Sequence, residues 1–364
     1  MIPAPNHTIR SGKITYPDYI PQYMMGTDKV LHEHDLYQPL TAFTWQSTYF
    51  LLNIQSADVT IPDDCDRVVI SYQTEYYDYD ELCDLFIDYD TVKFLLLSDG
   101  APSDIWPDNV TYVQWISYGH QLELMLNTHG YCTKIWRDCK RTTKFSSLSF
   151  RSEYHKAAVT AYLMHEHPDS VLSWHAVECK ERYWKASEFP DRIQTYLNSD
   201  VLQNKVTLDS FDQTKNYAVM NGEWRHPAYL DAEINLTNES VYNTEFANSR
   251  LYTVPYLTEK TWKPLMAGQP FLPVGQAHTL SFLQSLGMKF DYGFDCAYDD
   301  CEQDFTRLEK LFDVLQQLKT HNDFAQARES ALHNQQLIVS GKFKANCVSH
   351  NESQIKLIKA WYEN

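Results

Sequence analysis

Between Ile234 and Gly275 the chain reads INLTNES, a spacer, and then RLYTVPYLTEKTWKPLMAGQPFLPVG, the stretch around which the rest of the chain is organised. Ile234-Asn235-Leu236 ends a buried strand, and Thr237, Asn238, Glu239 and Ser240 form a polar loop at its carboxyl end. Thr258 is placed to N-cap a helix whose first turn carries Glu259 and Lys260 and whose apolar stripe is Trp262, Leu265 and Met266. Gly268 closes that helix, and Pro270 to Val274 follow as a second short buried strand ending at Gly275. Strand, polar loop, helix and strand in this order define a crevice of an open α/β sheet, where ligands bind beyond the carboxyl ends of the strands.

The first turn of this helix carries the chemistry. A helix N-terminus has unpaired N–H groups and partial positive charge, so phosphate is favoured there, and a first-turn lysine adds a full charge. A first-turn glutamate offers two acceptor oxygens to neighbouring hydroxyls such as those of a ribose. Glu259 and Lys260 together describe a handle for a nucleoside diphosphate. The plainer alternative is an ordinary helix start, where acidic residues are common anyway.

The rest of the chain repeats the same alternation. Residues 1–40 read as an irregular arm, and Thr41 to Val59 alternate loosely as strands. Arg67 to Tyr72 form a buried strand running into the polar loop Gln73 to Tyr77. Asp80 to Phe86 read as a helix, Lys93 to Leu97 and Val110 to Ile116 as strands, and Tyr118 to Asn127 as a helix. Lys140 to Ser146 mark a boundary, after which Ser147 to Phe150 form a strand, Arg151-Ser152 its loop and Glu153 to His165 a helix. Val171 to Trp174 read as a strand, His278 to Leu286 as a helix stopped by Gly287, and Phe305 to Leu318 as a strongly amphipathic helix. Ser353 to Trp361 form the last one. Residues 178–230 give no clear pattern. Alternating strands and helices predict parallel sheets with helices on their faces.

TEK followed by a small-residue helix, Gly and a hydrophobic strand resembles the donor-binding motif of the α-1,3-fucosyltransferases, and TEKTWKPLMAGQPF is closer still to related bacterial and viral glycosyltransferases. The likeness covers a little under half the chain, from about Ser147 to Asp313, and only the TEK block is specific. It implies two facing Rossmann-like domains of the GT-B type: an acceptor-side domain over 1–142, a nucleotide-sugar domain over 143–345, and a C-terminal helix over 346–364 crossing back. It also implies that Glu259 binds ribose, that Lys260 binds phosphate with Tyr256 and Thr258 beside them, and that Asn238, Glu239 and Ser240 match the acidic loop facing the donor sugar. The family's basic strand-loop-helix usually carries an Asn and further basic residues. Here Ser149 replaces the Asn and Lys156 the second basic residue, leaving Arg151 as a second phosphate ligand and Lys156 as a weaker one. An inverting transfer needs a general base, and Glu75 stands in a loop comparable with the family's glutamate-bearing loop, with Asp78, Asp80 and Asp99 as rivals.

At 364 residues the chain exceeds one ordinary core, which accords with two domains. A net charge of −17 disfavours a broad nucleic-acid-binding surface. The dense basic run Lys134, Arg137, Lys140, Arg141 and Lys144 reads as a solvated helix face or linker. The eight cysteines show no CxxC pair and read as reduced thiols, there is no apolar leader or membrane-length run, and a cytoplasmic location is expected. His32, Glu33, His34 and Asp35 are too closely spaced on an irregular segment to predict metal. The triplets Asp78-Tyr79-Asp80 and Asp88-Tyr89-Asp90 raise a metal-dependent alternative, because hard cations prefer oxygen ligands. Lys260 and Arg151 supply the charge without it. The expectation is therefore a glycosyltransferase with a nucleotide-sugar co-substrate, a glycan or small hydroxyl acceptor and no metal or other cofactor. Its alternatives are a non-catalytic sugar-nucleotide-binding or polysaccharide-assembly protein, and an enzyme that glycosylates a modified DNA base.

Overall fold

A computed structural model describes residues 23–25, 48–54, 61, 65–72, 79–98, 106–129, 141–149, 153–175, 186–204, 206, 227–243, 245–246, 250–251 and 254–363. By internal contacts the chain divides into two compact units: 1–120 with 245–254 and 347–364, and 121–244 with 255–346. Both are built on sheets that are wholly or mainly parallel, so the class is α/β.

The first unit holds the strands β1 (Tyr23–Met25), β2 (Thr48–Ile54), β3 (Arg67–Tyr72), β4 (Lys93–Ser98) and β5 (Val110–Gln114), hydrogen-bonded in that order. β1 is antiparallel to β2 and every later pairing is parallel. Val68, Val69 and Ile70 on β3 and Phe94 to Leu97 on β4 have no exposure at all, which is why these runs are continuously apolar rather than alternating. Helix α1 (Tyr79–Asp88) links the two strands and places Leu82, Leu85 and Phe86 against Val68, Ile70, Phe94 and Leu96. Helix α2 (Tyr118–His129) follows β5, and the division between the units falls within it.

The second unit opens with β6 (Thr143–Leu148), α3 (Tyr154–Glu166) and β7 (Val171–Ser173). Two short helices, α4 (Asp191–Leu197) and α5 (Pro227–Leu230), precede β8 (Ala232–Asn238). A two-stranded hairpin, β9 (Glu245–Phe246) with β10 (Arg250–Leu251), comes next and groups with the first unit. Then come α6 (Glu259–Ala267), β11 (Phe271–Val274), α7 (Thr279–Ser285) and α8 (Asp304–Leu318). Its sheet is wholly parallel with the order β11-β8-β6-β7. Leu308, Leu311, Phe312, Leu315 and Leu318 form the buried stripe of α8.

Three features differ from the sequence expectation. β6 begins at Thr143, four residues before the expected Ser147, and it takes in Lys144 from the basic run. The Lys144 ammonium has fixed partners: it donates to the carbonyls of Leu318 at 3.0 Å and His321 at 2.8 Å, capping the carboxyl end of α8, where a cation is favoured. Two further helices, α9 (Ala325–Val339) and α10 (Lys342–Ser353), lie in a stretch without a strong apolar stripe. The last helix, α11 (Ile355–Glu363), lies where the sequence places a final short helix; it belongs to the first unit and buries Ile358 and Trp361. Asn351 exchanges two hydrogen bonds with the backbone of Ile116 in that unit, at 2.9 and 3.0 Å.

Candidate functional site

The described strands β1 to β5 follow one another without reversal, whereas the second sheet reverses. From β6 the chain moves to β7 on one side, then returns to β8 on the other side and continues to β11. The carboxyl ends of β6 and β8 are therefore a topological switch point, the place where open α/β sheets leave room for a ligand. Asn238 ends β8 and spans this point: its Nδ2 donates to the hydroxyls of Ser147 at 2.7 Å and Ser149 at 2.9 Å, both from the β6 end. Its Oδ1 is buried and has no hydrogen-bond partner among the described residues. Ser149 is thus used to hold Asn238.

Thr258 is the N-cap of α6 and accepts from the Lys260 N–H, as the sequence predicts. Gly268 closes the helix with φ +67, a left-handed conformation that glycine adopts without steric cost. The expected open anion position at this N-terminus is filled by the protein's own carboxylate. Glu239, 1% exposed, accepts through Oε1 from the Thr258 N–H (3.2 Å), the Thr261 N–H (3.2 Å) and the Thr261 hydroxyl (2.5 Å), and through Oε2 from the Thr258 hydroxyl (2.6 Å). Its main chain is fixed as well: its N–H donates to Val274 in β11 at 3.0 Å, and its carbonyl lies 3.3 Å from Nε2 of His155 in α3. Burial and the charge of Lys156 push His155 down to about 3, so this imidazole is neutral at physiological pH.

Three lysines gather around this helix start. Lys260 keeps 31% side-chain exposure, and its Nζ contacts the hydroxyls of Ser240 at 2.9 Å and Thr258 at 3.1 Å and Glu259 Oε1 at 3.4 Å. Lys156 is 3% exposed and forms an ion pair with Glu153 at 2.7 Å. Burial lowers its pKa, opposed by Glu153 and reinforced by the charge of Lys260. Lys263 is 7% exposed, and burial brings it down to about 8 against the pull of Glu259. Glu259 itself keeps 40% side-chain exposure; burial acts to raise its pKa, but Lys260 and Lys263 outweigh that and hold it at about 2. It is an ionised double acceptor across the physiological range. Tyr256 is anchored through its N–H to Gln276 Oε1 at 2.6 Å.

Asn238, Glu239, Ser240, Thr258, Glu259 and Lys260 are joined by these contacts or adjacent in sequence to residues that make them, Tyr256 stands two residues before Thr258 and is bonded to Gln276 instead, and Lys156 is coupled to the group through Lys260 and Glu239. Glu75, Arg151, Asp78, Asp99 and the His32 to Asp35 cluster lie outside the described residues. Asp88 ends α1 and Asp90 lies in the turn beyond it. Among the described residues no group of three or more His, Cys, Asp and Glu side chains is arranged to hold a metal ion, and no helix is long and apolar enough to cross a membrane. Sequence reasoning passed over Lys263, although it stands four residues after Glu259 and so shares its helix face. His155 and Arg307 carried no sequence signal.

No protein-family model matches this chain, and no curated protein matches it significantly.

Proposed function

We propose that this chain is a glycosyltransferase that takes a sugar from a nucleoside-diphosphate donor held at the switch point of the second sheet. The observation that carries this reading is the pairing of Glu259 and Lys260, both partly exposed, at the start of α6. Of the three lysines, Lys260 alone is accessible enough to meet a diphosphate, and ionised Glu259 beside it can accept from two ribose hydroxyls. The resemblance to α-1,3-fucosyltransferases supports the same assignment and adds the two facing GT-B domains and a GDP-fucose-like donor. In the reaction the acceptor hydroxyl oxygen bonds to the anomeric carbon, its proton passes to a carboxylate base, and the nucleoside diphosphate departs with the bonding electron pair. Glu75 is assigned as that base on sequence grounds alone.

The test is thermal stability of the full chain against GDP, UDP, CMP, dTDP and ADP with their sugar forms, in EDTA and again with Mn²⁺. A ligand at about 100 times its dissociation constant adds about 2.7 kcal/mol. Stabilisation by one nucleotide in EDTA is expected, and Lys260→Ala is expected to weaken that binding by about 2–4 kcal/mol, or roughly 30- to 1,000-fold. Unchanged affinity in this variant would remove the centre of the proposal, and a requirement for Mn²⁺ would move the donor site to an acidic triplet. The Lys156–Glu153 pair favours a second reading, because it withdraws one cation from the site. Nucleotide binding without transfer to any acceptor would select this non-catalytic role.

A further inference from the structure

A helix start beside Lys260, Lys156 and Lys263 would be expected to collect any small phosphate or carboxylate from solution. Here Glu239 stands in that position. Its carboxylate takes the N–H groups of Thr258 and Thr261 together with both threonine hydroxyls, and the residue is 1% exposed. Its stem is held by Gly275, where an added Cβ would come within 3.2 Å of Glu239 Cβ and 3.4 Å of its Cγ. A side chain at 275 would press on this stem and require it to give by a few tenths of an ångström. Thr258, which donates to Glu239, also accepts from Lys260 Nζ at 3.1 Å, so the carboxylate fixes the lysine through one intervening hydroxyl.

We propose that Glu239 is a built-in anion that fills the binding position at the start of α6, excluding free phosphate and setting Lys260 in place, rather than a group that touches the donor sugar. This rests on the proposed donor site for its consequence in binding, but the exclusion of small anions stands without it. A ligand phosphate then meets Lys260 at the flank of the helix, and α6 contributes no amide N–H from Thr258 or Thr261. Selectivity follows: only a ligand that engages Lys260 and Glu259 together gains enough to bind.

The experiment uses the full chain as wild type, Glu239→Ala and Glu239→Gln, with thermal melting in chloride, formate and inorganic phosphate, and calorimetric titration with a nucleoside diphosphate and its sugar form. Glu239→Ala is expected to melt lower than wild type and to recover part of the loss in formate or phosphate at tens of millimolar, while wild type shows no such response. Glu239→Gln keeps the side chain's volume and guards against failure of the alanine variant to fold. It is expected to lose affinity for the nucleoside diphosphate and the nucleotide sugar by the same factor, on the order of tenfold. Absence of anion rescue in Glu239→Ala would overturn the proposal, as would a Glu239→Gln loss confined to the sugar form, which would put the carboxylate on the sugar. A wild type that binds no nucleotide would defeat the donor site alone, because the anion-rescue arm does not use one.

Discussion

Replacing Arg307 should be strongly destabilising. This side chain is 1% exposed on the buried face of α8. Nε donates to the Gly275 carbonyl at 3.1 Å, Nη1 to the Cys301 carbonyl at 2.8 Å, and Nη2 to the Tyr242 carbonyl at 2.6 Å and to Asp304 Oδ1 at 2.7 Å. The guanidinium carbon also lies 4.5 Å from the centre of the Tyr242 ring. One planar fork therefore ties the segment after β8, the end of β11 and the loop before α8. Arg307→Met removes the cation from a largely buried Asp304 and leaves carbonyls without their donors. Breaking a buried pair costs about 3–5 kcal/mol, and each orphaned acceptor about 1 kcal/mol or more, with overlap between the two. A net loss of about 4–6 kcal/mol is expected. Arg307→Lys should lose about 2–3 kcal/mol, because a single ammonium cannot present three nitrogens in one plane. For a unit of this size each kcal/mol lowers the midpoint by about 2–4 °C, so the methionine variant should melt roughly 8–24 °C lower. Scanning calorimetry resolves this, and it also reports whether the two units unfold separately. An Arg307→Lys midpoint within about 1 °C of wild type would refute the fork-based account.

Asp299 gives a pH prediction of definite sign: burial, opposed by the Leu280 N–H and by Arg307, raises this carboxyl to about 7. Its folded value is above its unfolded one, so its stabilising contribution is full in acid and is lost as pH rises through 7. Wild type should lose about 2–3 kcal/mol from this group between pH 5 and 8, Asp299→Asn should remove that slope, and parallel pH profiles in urea melts would contradict it. Gly268→Ala combines φ +67 with a Cβ only 3.2 Å from Gln335 Oε1. It should cost about 1–2 kcal/mol, and a neutral effect in the same melts would show that the end of α6 can rearrange.

What the sequence disclosed was governed by how far hydropathy determines burial. β3, β4, α1, α6, β11 and α8 were legible because each buries a contiguous apolar run or stripe. α9 was not, since its buried face includes Ala327, Ser330, Ala331, Asn334 and Gln335. These pack by pairing polar groups: Asn334 exchanges hydrogen bonds with the Lys289 backbone at 2.7 Å each way, and Gln335 donates to the Met266 carbonyl at 2.6 Å. Such burial has no periodic apolar signature. In the site, Thr258, Glu259 and Lys260 were legible because local spacing sets their chemistry. Glu239 was legible as an acidic loop residue, but its partners lie 19 and 22 residues away on another element. Only the packing of β8 against β11 and α6 assigns that carboxylate to the helix.

This division of the acids bears on what the site can accept. Glu153 faces Lys156, Glu239 is spent on α6, and Glu259 lies between the charges of Lys260 and Lys263. Three lysines and three glutamates thus leave little free charge for an isolated phosphate. A bare nucleoside is no better served, because it would draw on Glu259 without compensating Lys260. On the proposed reading a nucleoside diphosphate does both at once: its hydroxyls occupy Glu259 while its phosphates take up the Lys260 ammonium that Glu259 partly releases. The two contacts exchange one internal ion pair for two ligand contacts, so neither half of the ligand gains from the exchange alone. On that reading a charge-balanced helix start selects for a ligand carrying both groups, which is a stricter requirement than positive potential could impose.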